Sequence, residues 1–513
     1  MKTLTQSGFM RKMLIMAFAM LSGYSVAQTP FMKVVAADGT GDYKTINEAV
    51  SSCTADGTRS FIFIKNGTYK EQVKIPKGVT LSLIGENRDK AIVTHDVSHA
   101  SGLDKEETST IYVEAFDFYG ENFTTQHTAG RNGGQAECIT NSGDRMVFRN
   151  VAMKGNQDAV RFDHASRSYM TDCYIEGTVD YIYDSGIAFL DNCDIKQLWP
   201  GYVIAPGNSY VALSRRQIKE LTGQRGTRPW YIGIVIRNSR LIRDATNVSD
   251  GASYLGRPWG KDQSAGVFIR CKMDKHISEQ GFTNMSEGTV PYIGEWKSTD
   301  LDGNPIDMSK RIEWEFTEDA DRGTLYYMNR QVVDNVYDNM DFVYTLAGDN
   351  GARAGGKFDP LPMVTPPASP TGVSLNDGVF TWTPVEGTAG YLIYKDGRYL
   401  GNTSQPTFAD AGYDTSARYT LRSVSTTGCL GKEIDMLTSG VASLLADDIN
   451  ITTTEDGIFW NGNAQATLYG MDGSVKTIAD GEKLSWRSQS RGCYILRLVF
   501  AGKGCVKKKV VKK

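Results

Sequence analysis

Between residues 118 and 274 the chain repeats a short pattern: an apolar start, one or two polar residues, a small or thiol residue, and usually a further apolar one. The copies are "FYGENF" at 118, "FRNVAM" at 148, "MTDCYI" at 170, "LDNCDI" at 190, "IRNSRL" at 236 and "IRCKMD" at 269. From 148 to 170 the step is 22 residues and from 170 to 190 it is 20, and later steps lengthen where loops would be inserted. Steps of about twenty residues, rich in β-branched and aromatic side chains, predict the coils of a parallel β-helix stacked at roughly 4.8 Å. Residues one coil apart in sequence then become neighbours in space.

After about residue 355 the pattern changes. Residues 361–370 are proline-rich and read as a semi-rigid linker. From 371 to 432 apolar and polar residues alternate with turn signals every eight to twelve positions, which predicts a small β-sandwich with Trp382 and Tyr391 in its core. A third β-rich segment, 440–513, carries hairpin signals at Asp472-Gly473 and around Gly502 to Gly504. The fold class expected is therefore all-β: a parallel β-helix over 31–355 followed by two small sandwich-like domains.

The N-terminus adds a compartment. Lys2, Arg11 and Lys12 precede "MLIMAFAML" and an Ala-type cleavage site after Ala27, so residues 1–27 read as an export signal. The apolar run is too short for a comfortable membrane span, and no later stretch is long enough. The protein is thus expected to be exported, to the periplasm, cell surface or exterior. Lys and Arg total 56 against 59 Asp and Glu, and a net charge of −3 argues against a nucleic-acid partner. The terminal "KGCVKKKVVKK" reads as an edge strand with a wet lysine face. Eight cysteines follow the cleavage site, as bridges or as buried thiols. None has zinc-site spacing, and neither a metal nor a cofactor is expected.

Candidate chemistry comes from the stacking. Asp158 and Asp180 are 22 residues apart, as are Gln135 and Gln157, so an Asp column and a Gln column should run side by side. Adjacent strand residues point to opposite faces, so Gln157 and Asp158 can share a site only if the backbone bends or bulges there. Stacked glutamines also occur as structural ladders, whereas stacked aspartates repel. Two carboxylates forced together separate their pKa values, one keeping its proton while a nearby cation holds the other charged. Arg257 in "YLGRPWG" can supply that cation through a two-point hydrogen bond, with Trp259 suited to stacking on a sugar ring. His127 and His164, near these motifs, read as structural or surface residues.

The stretches "GDYKTINEAV" (41–50), "GGQAECI" (133–139), "NQDAV" (156–160), "YIEG" with "GTVDYIYDSG" (174–186) and "YLGRPW" (254–259) occur in the order found in pectin methylesterases. Over roughly residues 31–350 the chain resembles that family. The resemblance implies a right-handed, single-stranded parallel β-helix that hydrolyses methyl esters of galacturonate units in pectin, releasing methanol. It implies Asp180 as nucleophile, Asp158 as general acid and then base, Gln157 and Gln135 as oxyanion donors, and Arg257 as the group that aims Asp180. Trp259, Tyr181 and Arg161 are expected at the substrate, a pectic polysaccharide. Three positions depart from the family pattern. Asp184 stands where a Gly is usual, and Arg161 and Asn156 replace aromatics, so an anionic or branched chain would be read differently.

Residues 371 to about 432 resemble a fibronectin type III module, a spacer or sugar-binding accessory. The last domain is similar to the C-terminal sorting domain of the type IX secretion route, which would make secretion machinery a partner, or it is a structural cap. Competing readings are a pectate lyase, another acyl esterase and a non-catalytic pectin-binding protein. No G-x-S-x-G elbow supports a serine esterase.

Overall fold

The computed structural model describes residues 29–222, 229–285, 290–312, 330–439, 451–471, 474–500 and 504–512. The expected export segment, the Asp472-Gly473 turn and Gly502 lie outside these residues.

Met32–Thr365 together with Thr427–Cys429 make one compact unit. Apart from an antiparallel pair, Val211–Leu213 with Trp230–Ile232, its described strands fall into sheets of ten, seven and nine members. A complete coil gives one strand to each of these three: Met146–Arg149, Ala152–Lys154 and Val160–Phe162 in one coil, Arg167–Thr171, Tyr174–Gly177 and Ile182–Asp184 in the next. All the pairings between these strands are parallel, with Phe148 opposite Met170, Met153 opposite Ile175 and Val160 opposite Ile182. Each of those partners is 22 positions on, so this coil keeps one register through all three sheets. This is a parallel β-helix, as the repeat predicts.

The polar residue of the repeat has a local cause. Asn122, Asn150, Asp172, Asn192, Asn238 and Arg270 all have positive φ, between 51° and 66°. They form the corner where a strand of the first sheet turns into one of the third. Asn and Asp tolerate the left-handed conformation better than other side chains with a Cβ, and here the stacked corners also bond to one another. Asn150 Nδ2 donates to Asn122 Oδ1 at 2.9 Å, Asn192 Nδ2 to Asp172 Oδ1 at 2.6 Å, and Arg270 Nε to Asn238 Oδ1 at 3.0 Å. The small or thiol residue that follows points inward: Cys173, Cys193 and Cys271 are buried and carry free thiols. Columns such as Phe148, Met170, Leu190, Ile236 and Phe268 fill the remaining interior. The outer face of the first sheet is covered by the helix Met340–Asp349, through Val343, Tyr344 and Ala347. The turn Leu361–Val364, within the proline-rich stretch, buries Met363 in the same cluster. The unit therefore runs past residue 355, because the first sheet's outer face is itself apolar and needs a cover.

In the other unit, Thr371–Asn376, Val379–Thr383 and Thr407–Ala409 form a three-stranded antiparallel sheet. Thr388–Lys395, Arg398–Thr403, Tyr419–Ser425 and Ile434–Asp435 form a four-stranded one. Trp382 and Tyr391 sit in the core between them, 5.0 Å apart and edge to face. Residues 452–512 contain a five-stranded antiparallel sheet with Trp460, Leu468, Trp486 and Leu496 buried on it. Among the described residues no helix is long and apolar enough to cross a membrane.

The corner ladder makes a stability prediction. Asn150→Ala should lower unfolding stability by about 1–2 kcal/mol, losing left-handed tolerance and the bonds to Asn122 and Arg88. Asn150→Gly should cost visibly less. Urea denaturation of both variants checks the order, and equal losses would remove the conformational part of the explanation.

Candidate active site

Asp158 and Asp180 each stand two residues before a strand of the seven-stranded sheet, Val160–Phe162 and Ile182–Asp184. The ladder continues through both: Asp158 N–H donates to Val179 O at 3.1 Å and Asp180 N–H to Tyr202 O at 2.9 Å. Both aspartates adopt positive φ, 63° and 54°, a conformation that costs a residue with a Cβ on the order of 1 kcal/mol or more. This twist breaks the strand alternation at both aspartates. Next to it the N–H groups of Cys138 and Ile139 both donate to Ala159 O.

The two carboxylates line one cleft of about 230 Å³ together with Lys105, Gln135, Tyr183, Ala205, Trp259 and Met285. Gln135 is exposed there. Trp259 is 44 % exposed, its indole N–H fixed on Ala205 O at 2.9 Å. Close backbone approach between Gly207 and Gly260 holds that indole, since a Cβ on Gly260 would fall 2.2 Å from the Gly207 carbonyl carbon. Arg257 stands behind Asp180: Nε donates to Oδ1 at 2.9 Å and Nη2 to Oδ2 at 2.5 Å. Its guanidinium lies 4.3 Å from the centre of the Tyr202 ring, which stacks on Tyr254.

Three expected site residues are placed differently. Tyr181 is fully buried in the interior of the coil, not at the substrate. Once Asp180 takes positive φ and faces the cleft, the next side chain turns inward, and Gly177 makes room: a Cβ there would meet Tyr181 Cβ at 2.3 Å. Arg161 does not line the cleft; its Nε binds Asp184 Oδ2 at 2.7 Å and its Nη2 binds Asp163 Oδ1 at 3.1 Å. Asp184 and Arg161 are therefore mutual counter-ions, and the extra acid does not add an unopposed charge to the cleft. Gln157 is half-buried beside the cleft rather than among the residues lining it.

Lys105, Tyr183, Glu137 and His99 escaped sequence reasoning. Lys105 Nζ donates to Tyr183 Oη at 2.8 Å, and Tyr183 Oη donates to Glu137 Oε1 at 2.6 Å. His99 Nε2 is 3.3 Å from Glu137 Oε2. Lys105 and His99 come from the 98–108 segment, which joins the strands Ala91–His95 and Ile111–Val113 within one coil and lies outside every repeat. The one available signal was Glu137, a charge in an otherwise apolar "AECI".

The environments of the two acids separate them. Burial pushes Asp158 up to about 7; Lys105 and His99 pull against this, while Glu137 and Asp180 add to it. Burial also raises Asp180, but the hydrogen bonds and charge of Arg257 oppose it, and its displacement is the smaller. One carboxylate can thus hold a proton near neutral pH while its neighbour is charged.

A pectinesterase family model matches residues 32–333. The chain belongs to the pectinesterase family. Among its relatives, a pectinesterase of Petunia integrifolia is 34 % identical over 291 residues, covering 55 % of this chain and 73 % of that one. A putative pectinesterase/pectinesterase inhibitor of Arabidopsis thaliana is 32 % identical over 290 residues, and there the chain spans only 57 % of the relative. A solved pectin methylesterase from carrot, 28 % identical, covers 58 % of this chain and 90 % of its own length, with a TM-score of 0.48. The matched region takes in every residue of the cleft.

The raised acid has a thermodynamic signature. Between its ordinary value of 3.8 and about 7, folded Asp158 keeps a proton that the unfolded chain releases. Its contribution to stability is therefore fully present at low pH and is lost as pH rises to about 7. Asp158→Asn, neutral throughout, should stabilise the protein near pH 8 by on the order of a few kcal/mol and much less near pH 4. Thermal melts at the two pH values check this, and an equal gain at both would contradict it.

Proposed function

We propose that this pectinesterase hydrolyses the methyl esters of galacturonate units in pectin with Asp180 as nucleophile and Asp158 as proton carrier. The observation that supports this reading best is the arrangement of one Arg-clamped and one proton-retaining carboxylate on a single cleft beside an exposed indole. Asp180 attacks the ester carbonyl carbon, and Arg257, gripping both of its oxygens, keeps it charged and aimed. Gln135 faces the cleft and donates to the developing oxyanion, with Gln157 behind it as a second donor, a stabilisation on the order of 10²-fold or more per donor. As the tetrahedral intermediate collapses, the C–O bond to the methoxy group breaks and Asp158 gives its proton to methanol. Asp158, now a base, takes a proton from water, which attacks the acyl-enzyme. Asp180 leaves as a carboxylate and the sugar unit becomes a free uronate. Proton transfer of this kind contributes about 10²–10⁴-fold. Trp259 supplies the stacking surface for the sugar.

The polymer is the proposed partner. The basic-then-apolar start of the chain supports export, and the resemblance of residues 440–513 to a sorting domain supports a role for secretion machinery. The sandwich of residues 371–432, similar to fibronectin type III, serves as a spacer or accessory beside the catalytic unit.

Asp180→Asn should reduce methanol release from highly methylated homogalacturonan by at least about 10³-fold while leaving polymer binding in place. Retained methanol release would defeat the nucleophile assignment. Chelator-sensitive formation of unsaturated uronate by the wild-type protein would favour a lyase instead.

A further inference from the structure

Glu137 is an ionisable group that the mechanism above does not use, and it is 0 % exposed. It precedes the strand Ile139–Asn141, on the coil before that of Asp158, whereas Tyr183 belongs to the coil after it. The hydrogen bond between Tyr183 and Glu137 therefore spans the rung that carries Asp158. Thr108 Oγ1 donates to the other Glu137 oxygen at 3.3 Å. Lys105 closes the group from above, its ammonium 4.0 Å from Glu137 Oε1 and 4.6 Å from the centre of the Tyr183 ring.

A buried carboxylate is costly unless neighbours hold it, and these do: burial raises Glu137, but His99, Tyr183 and Lys105 outweigh it and leave it below its ordinary value. It is therefore an anion near neutral pH. Its cationic partner Lys105 is not sealed in with it; it lines the same cleft as Asp158 and Asp180. An anion and a cation thus stand at fixed places around the acid, joined by a phenol that keeps their spacing.

We infer that Glu137 and Lys105, tied together through Tyr183, are positioning residues that set the pH at which Asp158 gives up its proton, Glu137 holding the proton on and Lys105 drawing it off. The inference rests on Asp158 being the general acid. The other groups facing Asp158 are Asp180, with Arg257 clamped to it, His99 from the 98–108 segment and the Tyr183 phenol, whose own ionisation lies well above this range. Asp180 and Arg257 are common to every variant below.

The test is the pH dependence of kcat/KM for methanol release from methylated homogalacturonan, with each variant's fold checked by circular dichroism. The alkaline limb reports loss of the acid's proton. Lys105→Met should move that limb to higher pH and Glu137→Gln to lower pH, each by roughly half a unit to one unit, while Lys105→Arg leaves it in place. Lys105 is partly exposed, so its two variants decide the matter even if Glu137→Gln fails to fold. Limbs that stay put while kcat falls, or that move in the same direction, would overturn the inference and leave a structural role. Both shifts should keep their signs in a His99→Gln background; loss of the opposition there would assign the effect to His99 and overturn it equally. Asp158→Asn separates this inference from the mechanism. An alkaline limb that survives in its residual activity shows that the acid was misassigned. A limb lost there but unmoved by Lys105→Met defeats only the role of Lys105 and Glu137.

Discussion

The rung-to-rung register of the parallel ladder is the constraint on which the site depends. Val160 opposite Ile182 and Met153 opposite Ile175 fix a 22-residue coil, and backbone hydrogen bonds carry it to Asp158 and Asp180. A slip of one residue would turn one carboxylate inward among Tyr181, Ile182 and Val160. The asparagine corners lock the register from one side and the interior columns from another, so the helix is stiff where the chemistry needs fixed neighbours.

That stiffness is spent on an arrangement that folding alone would not choose. Two acids are brought to one cleft, each in a left-handed conformation, and one is buried without a clamping cation. The rest of the coil offsets this through close packing and well-placed counter-ions. Arg257 meets Asp180, Arg161 meets Asp184 and Asp163, and Lys105 stands over Glu137. Asp158 is the acid left outside these pairs.

The pairing of Asp184 with Arg161 also bears on the charge around the cleft. Two positions that depart from the family's usual residues compensate each other, so the cleft keeps its charge despite both changes. The cation that lines the cleft is Lys105, from a segment no repeat contains. The cleft therefore presents a lysine on one wall and the indole of Trp259 on another.

Much of this was legible in the chain. A period near twenty with Asn or Asp at most corners points to a coil, because few side chains accept the left-handed turn readily, and the period alone places Asp158 beside Asp180. The alternation in 371–432, with its turns, put Trp382 and Tyr391 in a core for the same local reason. Other placements were decided in three dimensions. Tyr181 reads as a cleft residue until Asp180 takes positive φ, which breaks the strand alternation and sends the ring inside. Arg161 reads as free until Asp184, 23 positions on, is laid beside it. Lys105 and Glu137 share no spacing that a period could reveal, since an inserted loop within one coil brings one over the other. Sequence determines what repeats, because a repeated local geometry leaves a repeated residue; which charges face one another across coils and loops is settled only when the chain is wound.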